Sequence, residues 1–253
     1  LTIQRVKSKW AKTKVLLNSE QLRARIPVTK VWSPSSLEQL LQEFGMLYVK
    51  PDQGTFGIGV IRVEKQSEIS YSYQHDTKIM QFASFEELAR SLQRLIGSRR
   101  YLIQQGIQLL RYEGRRFDIR IMVQHNSQRM WETTGIIGRL SHPKKIVTNY
   151  HSGGTPMSID ELMSPHLQQG QINGYKTWLA EIGTSTARQL QTKYPGLKEI
   201  GIDLAIDESF LPWILEVNTL PDPFIFRKLN DKSVFLRIHR YCVGYGRFKR
   251  RAK

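Results

Sequence analysis

The chain has 253 residues, enough for one large domain or two small ones with a substantial core. Lys+Arg 38 against Asp+Glu 22 leaves a formal charge of +16, so an acidic partner is expected, and the single Cys242 excludes an internal disulfide. No apolar run approaches membrane-spanning length and Leu1 opens no signal-peptide pattern, so a cytoplasmic location is the expectation, with the missing initiator Met read as a processed or trimmed start.

In chain order, Ser8 to Arg25 predicts amphipathic helical turns in which Lys9, Lys12 and Lys14 read as solvated surface lysines, and Ile26-Pro27-Val28 turns into a strand. A helix from Ser36 to Phe44 follows, with Pro34 near its start and Gly45 as its stop. Met46 to Val63 then reads as strand, glycine-rich turn and strand. It contains no P-loop motif, and no helix follows the glycines as a dinucleotide-binding turn requires. What remains is a hairpin whose Gly54, Thr55, Phe56, Gly57 and Gly59 can bring bare N–H groups to phosphate oxygens. Lys50 at the strand end is a point charge for the same phosphates. Glycine hairpins without a ligand are common, and this one gains weight from its Val-Lys-Pro lead.

Alternation from Glu64 to Gln81 predicts a hairpin turning at His75-Asp76, and Ser84-Phe-Glu-Glu87 reads as a capping box opening a helix to Gly97. The strand Tyr101 to Gln105 ends in Gln104 and Gln105 and leads to Ile107, a combination of amides and apolar wall that suits an adenine slot. Phe117 to Val123 alternates so that Asp118 and Arg120 share a face, with Trp131 to Leu140 as the next antiparallel strand. Arg120 and Arg139 suit guanidinium clamps on phosphate or carboxylate, and a surface Asp118–Arg120 pair is the competing reading. Asn149 to Gly154 is a glycine loop in which His151 reads as a loop hydrogen-bonder. A long helix from Ile172 to Tyr194 ends before Pro195.

Ile200 to Asn218 carries the chemistry. Two apolar runs flank an Asp-Glu-Ser turn, and a hairpin turning near Asp207–Ser209 places Asp203 opposite the end of the second strand. Glu216 and Asn218, two apart, share its face. Two carboxylates and an amide oxygen among apolar residues call for a cation or a proton, and hard oxygens suit Mg²⁺ also bound by phosphate. The plain alternative is a hairpin with acidic residues facing water. Thr219 to Pro223 forces a loop, a helix runs from Asp231 to Val243 with Cys242 as a packed bystander, and Arg247 to Lys253 is a basic tail.

The order of Lys9-Trp10, Tyr48-Val-Lys-Pro51, Gly54-Thr-Phe-Gly-Ile-Gly59, Phe117-Asp-Ile-Arg120 and Leu215-Glu-Val-Asn218 resembles the ATP-grasp superfamily, and within it the endospore coat-associated YheC/YheD type. The resemblance implies an α+β ATP-grasp fold, two subdomains with antiparallel sheets gripping the nucleotide. Residues 1–44 would be a lead-in, 45–105 the small lid subdomain, 106–230 the subdomain with the metal site, and 231–253 a helix and tail. By the same resemblance Lys50 and the glycine loop would hold the phosphates of ATP, with Lys9 favoured over Lys12 or Lys14 as the second lysine. Gln104, Gln105 and Ile107 would sit by adenine and ribose. Asp203, Glu216 and Asn218 would bind two Mg²⁺, with Mn²⁺ as substitute. Arg120 and Arg139 would serve catalysis and, with Asn149, Gly153 and Gly154, the substrate. The implied activity is ADP-forming carboxylate–amine (or thiol) ligation through an acyl phosphate on an anionic acceptor such as an acidic peptide or polycarboxylate. The sequence leaves no room for the additional N-terminal domain most such ligases carry, which keeps a non-catalytic spore-coat or scaffold component as the alternative. A nucleic-acid binder fits less well, since aromatics are not interleaved with the basic residues.

Overall fold

The computed structural model describes residues 2–55, 57–67, 69–143, 146, 148 and 153–249; Phe56, Asn149, His151 and tail residues 250–253 lie outside them. In chain order the elements are α1 (Lys9–Leu16), α2 (Glu20–Arg23), β1 (Thr29–Val31), α3 (Pro34–Phe44), β2 (Met46–Pro51), β3 (Ile61–Ser67), β4 (Ser70–His75), β5 (Lys78–Phe82), α4 (Phe85–Ile96) and β6 (Tyr101–Gln105). There follow β7 (Arg111–Tyr112), β8 (Arg115–His125), β9 (Trp131–Leu140), β10 (Thr155–Met157), α5 (Ile159–Met163), α6 (Gln169–Gln191), β11 (Glu199–Ile206), β12 (Pro212–Asn218), a 3-10 turn (Phe224–Lys228) and α7 (Lys232–Gly244). The chain divides into two compact units, one of Leu1–Ile26, Leu109–Leu140 and Thr155–Lys253, the other of Pro27–Gln108 and Ser141–Gly154. The stretch 1–44, expected as a lead-in and the start of the ATP-grasp fold, contributes to both units.

The unit around Pro27–Gln108 is an antiparallel sheet in the order β1-β6-β2-β3-β4-β5. Leu47, Val49, Ile61, Val63 and Ile103 alternate onto one face and pack with Leu37, Leu41 and Leu92 of α3 and α4. The same alternation turns Lys50 and Gln104 to the opposite face. Local chemistry sets the helix ends: Ser33 Oγ accepts from Ser36 N at 3.0 Å, and Gly45 at φ 69° stops α3. Ser84 Oγ likewise accepts from Glu87 N at 3.2 Å, but Glu87 Oε2 accepts from Ala83 N, one residue before the atom a reciprocal capping box would use.

The other unit is built on the order β10-β9-β8-β11-β12, with β7 beside β8. One face, with Phe117, Ile119, Ile121, Ile202 and Leu204, packs on Leu179, Ile182 and Leu190 of α6. On the other face Met122 and Ile137 are covered by Phe226 of the 3-10 turn and Ile238 of α7. Gly135 permits that approach, since a Cβ there would lie 2.7 Å from the Phe226 ring. Next to this patch Glu199 is fully buried and accepts from Arg5 Nη2 at 2.7 Å, Arg247 Nη1 at 2.7 Å and Tyr245 OH at 2.6 Å. Arg247, the first residue of the basic tail, is part of this clasp, and Cys242 is packed as expected, fully buried with its Sγ 3.2 Å from Tyr245 OH.

His125, at the end of β8, is buried with its ring centroid 4.1 Å from that of Trp131. Burial, then the charges of Lys198 and Arg129, lower its pKa from 6.5 to about 4. The unfolded chain therefore binds the extra proton first, so this contribution to stability is complete above pH 6.5 and is lost as pH falls towards 4. Thermal melts of the wild type should fall between pH 7 and pH 5 by more than those of His125→Phe, which keeps the ring packing and cannot titrate.

Candidate functional site

The acidic hairpin folds with Asp203 paired to Glu216 and Gly201 to Asn218, with a register shift just past Asp203. On its other side β11 pairs with β8, placing Asp203 opposite Arg120, and β8 pairs with β9, placing Asp118 opposite Arg139. Strand alternation puts all of these side chains on one face. The result is a row of charges crossing four strands.

Arg120 clasps Asp203 with two nitrogens, Nε to Oδ1 and Nη2 to Oδ2, the latter at 3.0 Å. Arg139 Nε donates to Asp118 Oδ1 at 2.8 Å, and its Nη2 reaches both Asp118 Oδ2 at 2.5 Å and Asp203 Oδ1 at 3.1 Å. The surface Asp118–Arg120 pair is thus replaced by cross-strand pairs, because residues two apart on a strand lie side by side while the register aims each guanidinium at the neighbouring strand. Burial alone would raise the Asp203 pKa. The charges of Arg120 and Arg139 and their hydrogen bonds override it and hold it down at about 2. Asp118 and Asp203 likewise hold the buried Arg139 guanidinium protonated, against its desolvation.

Glu216 is less enclosed, and Lys9 Nζ lies 3.5 Å from its Oε1. Lys9 and Lys12 are buried, contrary to the reading of both as solvated, and Lys14 is exposed. The reason lies before α1. Gln4 N bonds Gly196 O at 3.0 Å, Val6 N bonds Thr219 Oγ1 at 2.8 Å, and Arg5 Nη1 donates to Thr219 O, so the N-terminal segment runs along the hairpin end. Lys12 Nζ then donates to Val6 O at 2.9 Å, while Lys9 is carried to Glu216.

Among the described residues no group of three or more His, Cys, Asp or Glu side chains is arranged to hold a metal. The set Asp203, Glu216 and Asn218 fits Mg²⁺ in donor chemistry: two carboxylates on paired residues and an amide oxygen on the same face, all hard oxygens. Its carboxylates are held by the protein's own cations in this structure.

In the other unit Lys50 is buried and donates from Nζ to Gln104 Oε1 at 2.7 Å, and Gln104 Nε2 donates to Thr29 Oγ1 at 3.1 Å. The Gln105 side chain accepts from Val28 N at 3.2 Å, and Ile107 is buried. Gly54, Gly57 and Gly59 all have positive φ, and a Cβ on Gly59 would meet Tyr101 OH at 2.9 Å, so this turn needs glycine on both counts. Thr55 is exposed, Gly153 has φ 87° beside His142, and Gly154 is buried. Sequence reasoning singled out neither Arg62, on the same sheet with Nη2 on Glu64, nor the Arg5–Glu199–Arg247 clasp. A lone buried Glu opening an apolar strand is the one signal that could have shown the clasp.

Breaking this face should have unequal costs. Arg139→Ala leaves the Asp118 carboxylate, 4% exposed, and Asp203 short of charge, with an expected loss of about 3–5 kcal/mol by urea unfolding. Glu216→Ala removes a carboxylate 22% exposed but takes a partner from Lys9, 8% exposed, so it should cost about 1–3 kcal/mol by the same measurement, less than Arg139→Ala.

Comparison with known proteins agrees with this architecture. The chain is 24% identical over 226 residues to the endospore coat-associated protein YheD of Bacillus subtilis (strain 168), covering 84% of this chain and 49% of that protein. It is 23% identical over 217 residues to YheC of the same organism, covering 84% and 59%. The chain therefore spans about half the length of the curated relatives it matches. Among solved structures, D-cycloserine synthetase DcsG superposes with a TM-score of 0.55 at 11% identity, over 92% of this chain and 69% of that one, which shows a shared fold. The family described as YheC/D like ATP-grasp matches residues 2–248, and the chain belongs to it.

Proposed function

We propose that this chain is the ATP-using part of an ADP-forming carboxylate ligase. The observation that carries the reading is the paired Asp203–Glu216 set with Asn218, flanked by Lys9, Arg120 and Arg139 on one sheet face. Membership of the ATP-grasp family and the buried Lys50 beside the glycine turn support it. When bound, one or two Mg²⁺ ions at Asp203, Glu216 and Asn218 would supply charge neutralisation for the phosphates. Lys50 and the N–H groups of Gly54 to Gly59 hold the phosphates, and Gln104, Gln105 and Ile107 serve the base and ribose.

In the reaction a substrate carboxylate oxygen attacks the γ-phosphorus and the bond to the ADP oxygen breaks, leaving an acyl phosphate. An amine or thiol then attacks the acyl carbon, loses its proton, and expels phosphate. Such a step needs positioning and charge more than covalent help, so Arg120 and Arg139 act as cations beside the transferring group. No nucleophilic cysteine or serine enters.

The net +16 supports an anionic acceptor, an acidic peptide or polycarboxylate. The test is ADP release with acidic, neutral and basic peptides at low and moderate salt. Turnover should favour the acidic peptide, decline as salt rises, and be absent in Glu216→Ala. A neutral or basic preference removes the anionic acceptor, and nucleotide binding without turnover on any acceptor favours the coat-component reading that the YheD and YheC relatives suggest. Lys50→Ala should weaken ATP by at least about tenfold while leaving adenosine binding nearly unchanged, since its charge acts on phosphate alone; calorimetry reads both.

A further inference from the structure

The carboxylates offered to a metal are already neutralised by the protein. Lys9, Arg120 and Arg139 balance Glu216, Asp203 and Asp118 charge for charge, and Asp203 receives nitrogens from both arginines. A divalent cation entering alone would add positive charge to a mostly buried face that already holds Lys9, Arg120 and Arg139, against the direction that burial of charge tolerates. It would also have to take Asp203 oxygens from two guanidiniums and approach within the field of Lys9. Nucleotide phosphates bring the anions that those cations can take instead.

We propose that this face works by counter-ion exchange. Lys9, Arg120 and Arg139 hold the carboxylates in this structure, and they pass from the carboxylates to the phosphates when nucleotide arrives. Asp203 and Glu216 are thereby released as ligands only in the presence of nucleotide. The proposal rests on the reading of Asp203, Glu216 and Asn218 as the metal set, and adds to it a thermodynamic consequence. Metal and nucleotide are coupled through the same three cations, and by linkage each must raise the affinity of the other by the same factor. The lysine and arginines thus serve two roles in sequence, as stand-ins for the metal and then as phosphate ligands. The Lys9–Glu216 contact, at 3.5 Å with the Glu216 side chain 22% exposed, is the longest of these ion pairs. Arg120 and Arg139 are held by several short bonds each, so their exchange is the more demanding step.

This makes a prediction of unusual sign: removing a positive side chain should improve metal binding. Mn²⁺ serves as the probe, with free ion read by electron paramagnetic resonance and nucleotide affinity by calorimetry with a non-hydrolysable ATP analogue, in chelator and with Mn²⁺. Wild-type protein should bind Mn²⁺ weakly by itself. Lys9→Met should bind Mn²⁺ alone at least about fivefold more tightly, bind the analogue in chelator more weakly, and show a smaller coupling factor between the two. Arg120→Met, checked for a retained melting transition, should shift the same quantities in the same direction. Adding Glu216→Gln to Lys9→Met should abolish the gain. Should Lys9→Met and Arg120→Met bind Mn²⁺ alone no better than the wild type while the analogue still binds with Mn²⁺, the exchange is overturned and the nucleotide reading stands. Should the wild type bind neither Mn²⁺ nor the analogue in any combination, the metal-set reading falls and the exchange with it.

Discussion

Asp203, held between Arg120 and Arg139, is the interaction on which the rest of the sheet face depends. A carboxylate with its surroundings buried to this degree is tolerable only when its charge is matched and its oxygens are bonded. That requirement reaches outwards along the strands. Gly201, two residues before Asp203, must lack a side chain, because a Cβ there would meet Pro221 at 2.6 Å and the Arg120 side chain at 3.4 Å. Asp118 in turn must stay an acid, since Arg139 otherwise brings an excess charge to the same spot. The energetics of such a face do not reduce to a sum of favourable pairs: removal of any one member leaves another unmatched, and the penalty is felt there.

The same face depends on chain segments far apart in sequence. Arg5 reaches both Glu199 Oε1 and the Thr219 carbonyl, so one guanidinium joins the start of β11 to the residue following Asn218. Val6 adds its N–H to Thr219 Oγ1, and α1 then begins at Ser8, whose Oγ accepts from Ala11 N at 3.0 Å. Lys9 is consequently placed by a tether and a helix cap, which together define where its short reach to Glu216 begins. Arg247 and Tyr245 close on Glu199 from the other end of the described chain.

Local periodicity made much of this legible. The apolar runs of β11 and β12 and the turn between them were enough to place Asp203 opposite the end of the second strand and Glu216 and Asn218 on one face, but the pairing of Asp203 with Glu216 depends on the register shift past Asp203, without which Leu204 opposite Ile214 would put Leu215 there. Gly45, Pro34 and Ser84 marked helix ends by chemistry that acts within a few residues. The choice of partner for each arginine was not legible in the same way. Asp118 and Arg120 are near in sequence and on one face, yet the guanidiniums go across the sheet, and the register between β8, β9 and β11 decides that. Burial of Lys9 and Lys12 was hidden for a similar reason, since a helix with several lysines looks solvated until the residues bonded to Thr219 and Gly196 are known. Gln105 shows the limit from the other side: its amide looks available in sequence and is used to hold Val28 N.

Charge balance at the site changes where the large positive excess must be sought. Lys9, Arg120 and Arg139 are each paired with an acid on this face. Part of the excess lies in the stretch Phe224 to Lys249, which holds seven lysines and arginines against the single Asp231. Part of it is committed, as with Arg247 on Glu199 and Arg237 near Glu132 at 3.8 Å, while the exposed Arg227 stands 4.8 Å over the Phe224 ring on the 3-10 turn that follows Asn218. Exposed charges of this kind act over about 10 Å at 0.1 M salt and are screened beyond it, whereas the buried pairs on the sheet are screened much less. Salt therefore acts on the exposed charges of the turn and α7 far more than on the matched pairs of β8, β9, β11 and β12.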